Sequence, residues 1–139
     1  MFITQISIFL ENTVGSAADT LKLLSDASID IRALSIADTS EYGIMRLIVN
    51  DSEKAKSVLD SHGIMVKHNH VLAIPLIDKP GSLAYILALL KDNGVSVEYM
   101  YAFVGKNREE AIVVTRTDNQ EKAAEILVKN GITPITELF

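Results

Sequence analysis

Apolar and polar residues alternate early in the chain, with Ile6, Ile8 and Leu10 interleaved with Gln5, Ser7 and Phe9. A period of two predicts a β-strand. The same alternation returns at Leu72, Ile74 and Leu76. After each strand the period lengthens. Ala17, Ala18, Leu21, Leu24 and Ala27 form a helical stripe behind Ser16, with Asp19 three residues on as in a capping box. Leu83, Ile86, Leu87 and Leu90 form the matching stripe, which Asp92-Asn93-Gly94 ends. Two strand-like runs then follow in each half, "IDIRALSIAD" with "GIMRLIVN" and "VSVEYMYAFV" with "EAIVVTRT", joined by polar, Gly-containing loops that read as hairpins. Second helices are predicted over 52–62 and 119–130, stopped by Gly63 and Gly131, and final strands from Ile64 and Ile132.

The halves are copies of one unit. At an offset of 66 residues Gly15 falls on Gly81, Ser16 on Ser82, Leu21 on Leu87, Leu24 on Leu90 and Asp26 on Asp92. An insertion of two residues near Lys106 raises the offset to 68, at which Glu53-Lys54-Ala55 meets Glu121-Lys122-Ala123 and Leu59 meets Leu127. The order β-α-β-β-α-β in each unit is the ferredoxin-like plan, with both helices on one face of an antiparallel sheet. The predicted fold is therefore α+β, in two domains over 1–69 and 70–139 joined near Lys67-His68-Asn69-His70. Both alternation classes of the middle strands are apolar: Val97, Tyr99, Tyr101 and Phe103 on one side, Met100, Ala102 and Val104 on the other, with Glu98 the exception. Sheets of this kind are covered on both faces, here by pairing of the units and of one chain with another.

Composition narrows the classes of function. The 139 residues carry 48% hydrophobic and 22% charged side chains, with no apolar run of the roughly 20 residues that a membrane span needs. The start "MFITQISIFLEN" has no basic segment or cleavage site of a secretory signal, so a cytoplasmic protein is expected. Absence of cysteine removes disulfides, thiolate nucleophiles and Cys-based metal sites. A net charge of −5 with scattered basic residues argues against nucleic acid or anionic membrane as partner.

Candidate chemistry sits where the first strand of each unit feeds its helix. The first amides of a helix have no partner within it and carry the positive end of the macrodipole. At 77–90 Gly81 leaves those amides unscreened, Pro80 fixes its own φ, Ser82 can cap or donate, and Asp78 can pair with an ammonium group. A carboxylate beside an ammonium describes a free amino acid. Each residue alone is also an ordinary structural device: Pro-Gly makes turns, Ser caps helices and Asp forms Asx-turns. In the first unit the junction "ENTVGSAAD" keeps Gly15 and Ser16, with Asn12 for Asp78 and Val14 for Pro80.

Two tandem units, each with Asp/Asn-x-x-Gly at the first junction, a Leu-rich helix, and then "DNGVSVEYM" or "DASIDIRAL", resemble a tandem ACT-domain protein over essentially the whole chain. The run Asp78-Lys79-Pro80-Gly81-Ser82-Leu83 is its sharpest part, and Val14 departs from the family's usual Pro. The resemblance implies amino-acid binding between paired domains, by the first junction of one and the start of the second strand of its neighbour. By position that implies Asn12, Gly15, Ser16, Asp78, Pro80, Gly81, Ser82 and Leu83, with Asp30 and Ser96 opposite them. It also implies a free-standing regulatory homodimer that signals to an enzyme, with no cofactor, metal or catalytic residue.

Other readings stay open at this level. An interaction scaffold with vestigial sites has the same fold. Tyr99, Tyr101 and Phe103 resemble the base-stacking aromatics of an RNA-recognition module, but "EAIVVTRT" lacks that module's basic, Gly-containing third-strand motif. His68-x-His70 places two imidazoles on one side of an extended segment with no evident third metal ligand. Ser16 and Ser82 have no His partner in either motif, which speaks against an enzyme.

Overall fold

Ile6, Ile8 and Leu10 are withdrawn from solvent on one side of β1 (Ile3–Glu11), where they meet Leu24 and Leu59 of the two helices that cover them. The computed structural model describes residues 1–38, 42–105 and 110–139; the tips of both hairpins and the insertion near Lys106 lie outside the described residues. Thr4–Asn69 with Phe139 form one compact unit, and Met1–Ile3 with His70–Leu138 form the other.

In the first unit β1 is followed by α1 (Ser16–Asp26), β2 (Ile31–Asp38), β3 (Tyr42–Val49) and α2 (Ser52–Ser61). β3 lies between β1 and β2, antiparallel to both, with Ser7 opposite Arg46 and Arg46 opposite Ser35. The fourth strand is the beginning of β4 (Val66–Ile77), which lies beside β1; the Phe9 amide donates to the Met65 carbonyl at 3.1 Å. The order β2-β3-β1-β4 is that of the ferredoxin-like plan. α1 and α2 pack on each other and close a core of Ile6, Ile8, Leu24, Met45, Leu47 and Leu59.

The second unit repeats this with β4, α3 (Ser82–Asp92), β5 (Val97–Val104), β6 (Glu110–Thr117) and α4 (Gln120–Lys129), in the strand order β4-β6-β5. Leu72, Ile74, Ile86, Leu90 and Leu127 fill its core, and Phe2 packs against them. Thr115, opposite Leu72 in the ladder, is fully buried there, and its Oγ1 has no hydrogen-bond partner among the described residues.

Three sequence expectations change. Lys67-His68-Asn69-His70 is no linker but part of β4, where Asn69 Oδ1 accepts a hydrogen bond from Ser7 Oγ at 2.6 Å. The final strand expected from Ile132 shrinks to one antiparallel bridge between Ile135 and Ala73, because Pro134 beside it has no N–H to offer a ladder. The sheet's second face is not uniformly apolar: fully buried Gln5 donates to Ser7 Oγ at 3.2 Å in the first unit, where the second unit has Val71 and Ala73. Tyr99, Tyr101 and Phe103 are half-buried.

The four helices of the described residues end alike. A residue with positive φ follows each C-cap, and the next amide returns to the last turn, as Val95 N does to Leu90 O at 2.9 Å. Gly63, Gly94 and Gly131 supply that residue in three helices, and Ser28, at φ 58°, supplies it in α1.

Candidate functional site

The helices differ at their starts. α2 and α4 are capped by side chains: Asp51 Oδ1 accepts from the Lys54 amide at 3.0 Å, and Asn119 Oδ1 from the Lys122 amide at 3.1 Å. α1 and α3 have no side-chain cap, and the N-cap residue is a left-handed glycine, Gly15 at φ 88° and Gly81 at φ 91°. The expected Ser caps are displaced by one residue: Ser16 and Ser82 are the first helical residues, and Ser16 Oγ bonds Thr13 Oγ1 at 2.8 Å rather than a backbone amide. A capping box between Ser16 and Asp19 is thereby ruled out, since Ser16 is not the cap.

The two junctions share one backbone course. Thr13 N donates to Glu11 O, Ser16 N to Thr13 O and Asp19 N to Gly15 O; Lys79 N donates to Ile77 O, Ser82 N to Lys79 O and Tyr85 N to Gly81 O, with equal distances of 2.9, 3.3 and 2.9 Å in each set. Among the described residues no acceptor engages the amides of Ala17 and Ala18 or of Leu83 and Ala84. Each junction therefore presents two adjacent N–H donors at the positive end of a helix. Glycine is favoured at the turn, since positive φ disfavours residues with a Cβ. Room is not the constraint: a Cβ built on Gly81 meets nothing within 4 Å.

Asp78, Pro80, Gly81 and Leu83 are exposed and Ser82 half-buried; Asn12 and Gly15 are exposed and Ser16 half-buried. Neither Asp78 nor Asn12 has a side-chain partner among the described residues. The junctions differ in the first turn, where α1 has Asp19 and α3 has no acid; at the offset of 66 Tyr85 stands in its place. The first junction also opens on a cleft of about 500 Å³ between the start of α1 and the end of α2, lined by Thr13, Ser16, Asp19, Thr20, His62 and Met65 among others. His62 is the C-cap of α2, with Nδ1 2.9 Å from the Val58 carbonyl. The sequence suggests Asp19 only as a capping-box partner; its place as a carboxylate beside Gly15, and the cleft, come from the structure, although the offset alone sets Asp19 against Tyr85.

Within a unit, Asp30 and Ser96 are not brought to the junctions. Asp30 exchanges bonds with Asn50, its amide donating to Oδ1 at 3.0 Å and its carbonyl accepting the Asn50 amide at 3.1 Å; Ser96 does the same with Asp118. The Asp30–Asn50 pair sits at the Val49 end of β3 and the Ser96–Asp118 pair at the Thr117 end of β6, whereas the junctions sit at the Tyr42 and Glu110 ends, roughly 23 Å away at ~3.3 Å per residue. The remaining histidines form no metal site: His68 Nδ1 lies 3.5 Å from Glu53, and the described residues contain no cluster of three potential ligands. No described helix is long and apolar enough to cross a membrane.

A model of the ACT domain pair matches residues 1–138. The chain belongs to this family. A crystal structure of a Bacteroides thetaiotaomicron protein is similar to this ACT domain pair at 36% identity and a TM-score of 0.90, covering 97% of this chain and 92% of that one. The regulatory subunits of aspartate kinase from Thermus thermophilus, in a ligand-free form, and from Thermus flavus have the same fold, with TM-scores of 0.63 and 0.64 at 14% and 15% identity. Each comparison covers 91% of this chain and 90% of the subunit. A search of the curated proteins found no match. ACT domains are regulatory modules that bind small ligands, and this pair has both of its strand–helix junctions built to the same pattern.

Proposed function

We propose that this ACT domain pair is a non-enzymatic cytoplasmic sensor that binds a small free amino acid at its strand–helix junctions and, as a homodimer, transmits occupancy to an enzyme. The observation that carries this reading is the contrast among helix starts. Two helices are closed by Asp51 and Asn119, and the two at the junctions are opened by left-handed glycines that leave paired amides to solvent. A carboxylate fits those donors, and Asp78, without a partner among the described residues, fits the ammonium of the same molecule.

The second junction is the stronger of the two. α3 has no acid in its first turn, whereas Asp19 places a carboxylate beside Gly15. Domain limits of 1–69 and 70–139 go with this reading, as do Asp30 and Ser96 contributed by a neighbouring domain. Occupancy would act by differential affinity, favouring whichever arrangement of domains binds the ligand more tightly.

A thermal-shift panel of the twenty amino acids tests the reading. One of them, at about 100 times its dissociation constant, should add roughly 2.7 kcal/mol of stability. Gly81→Asp should remove that shift while the variant keeps its fold, because Asp is among the residues that tolerate a left-handed backbone and its carboxylate would compete for the same amides. A panel with no shift for any amino acid, or a shift that survives Gly81→Asp, overturns it.

A further inference from the structure

Ala123, Ile126 and Leu127 of α4 are buried in the second core. Beside them Glu121, Ala124, Glu125, Val128 and Lys129 recur at the spacing that lines one face of a helix. With Met1 and Phe2 they line a cavity of about 450 Å³, within the size range of small-molecule sites. All of these residues belong to one unit, and none to a strand–helix junction. At the offset of 68 Ala124 falls on Lys56 and Val128 on Asp60, which join in an ion pair at 2.6 Å on α2. Where the first unit lays a salt bridge along its helix, the second leaves an apolar floor, with Val128 44% exposed. The rim is charged. Glu125 and Lys129 have the spacing at which Lys22 meets Asp26 and Lys56 meets Asp60, yet Glu121, Glu125 and Lys129 make no ion pair among the described residues. The helix dipole accounts for Glu121 in the first turn and Lys129 in the last; it does not account for Glu125 or for the apolar floor.

From this we infer that the cavity on α4 is a further ligand site, which takes a small molecule with an apolar body and a protonated amine. Charge complementarity selects that class. Two carboxylates against one ammonium leave the rim acidic, and Glu121 and Glu125 stand one helical turn apart, so that a single amine can bond to both. Ala124, Val128 and Phe2 take the apolar body out of water. The preferred charge is opposite to that of the open amides on α3, which attract an anion. Phe2 lines the cavity and also packs against the second core, so an occupant that holds its ring stabilises that unit. The assignment does not rest on amino-acid binding at the junctions.

Phenethylamine, an aromatic ring on a primary amine, serves as the probe. Its controls are 3-phenylpropionate, a similar body of opposite charge, and ethylamine, the charge without the body. In an amide NMR titration of the full chain at low salt, phenethylamine should shift the Phe2, Ala124 and Val128 resonances saturably, leave Leu83 and Ala84 unmoved, and bind more tightly than either control. Glu121→Gln combined with Glu125→Gln should raise its dissociation constant at least about fivefold, since an exposed ion pair contributes up to about that factor. Val128→Phe places a ring in the cavity and should abolish saturable binding with unchanged circular dichroism. No saturable shift on α4, equal binding of 3-phenylpropionate, or an affinity indifferent to the paired Gln substitutions overturns the assignment. So does a dimer that Val128→Phe dissociates in sedimentation equilibrium, because a second copy would then fill the cavity. A blank amino-acid panel beside saturable phenethylamine binding would overturn the junction reading alone.

Discussion

An Asp19 carboxylate oxygen lies 3.9 Å from the place a Cβ would take on Gly15, so the first junction brings its own negative charge to its open amides. At the second junction Tyr85 stands at the equivalent position. Asp19→Asn should make the first junction receptive to anions. In an acetate titration followed by amide NMR, the Ala17 and Ala18 resonances should be nearly still in the wild type and move in the variant, while Leu83 and Ala84 respond in both. Equal responses at both junctions of the wild type would show that Asp19 does not discriminate.

Removing a side chain at the start of a helix should matter at α4 and not at α3. Asn119 caps its helix through the Lys122 amide, and Asn119→Ala should cost about 1 kcal/mol in urea unfolding. Ser82 is past the cap and makes no side-chain bond among the described residues, so Ser82→Ala should stay within about 0.5 kcal/mol of wild type.

Ser28 holds a left-handed backbone at the end of α1 where the other three helices use glycine. Ser28→Gly relieves the clash of its Cβ with the following carbonyl. The expected gain is about 1 kcal/mol, with a rise of a few degrees in Tm by calorimetry. Gly94→Ser should cost a similar amount.

Thr115 presents to the second core a buried hydroxyl with no partner among the described residues, at the place where the first core has Leu47. Thr115→Val keeps the shape and removes the unsatisfied polar atom, so stability should rise by about 1 kcal/mol. A loss instead would mean that the hydroxyl has found a water.

Much of this fold was legible in the sequence because each unit solves the same backbone problem twice. The recurrence of Gly15 at Gly81 and of Gly63 at Gly131 marks φ values that glycine adopts most readily, and Leu59 and Leu127 recur because both are fully buried against a sheet. What was misread depended on one step of register or on tertiary contacts. Ser16 and Ser82 look like caps, since nothing local says that the preceding glycine has taken the role. The polar run at 67–70 looks like a linker, since only pairing beside β1 makes a strand of it. Asp30 and Ser96, which the family resemblance assigns to a neighbouring domain, are a separate matter: their place at the far end of their own sheets from the junctions follows from the ladder, which counts residues along β3 and β6 rather than along the chain.

Phe2 packs against a core whose helix residues, Ile86 through Leu127, are made long after it. At ribosomal rates of about 5–20 residues per second, that ring waits on the order of 10 s for its binding surface to emerge. A ring made well before its partners is thus among the last groups of its unit to be buried. A fragment begun at His70 would leave the ribosome without the aromatic plug of its own interior, and supplying residues 1–3 at its carboxyl end, as in a circular permutant, offers a way to return it.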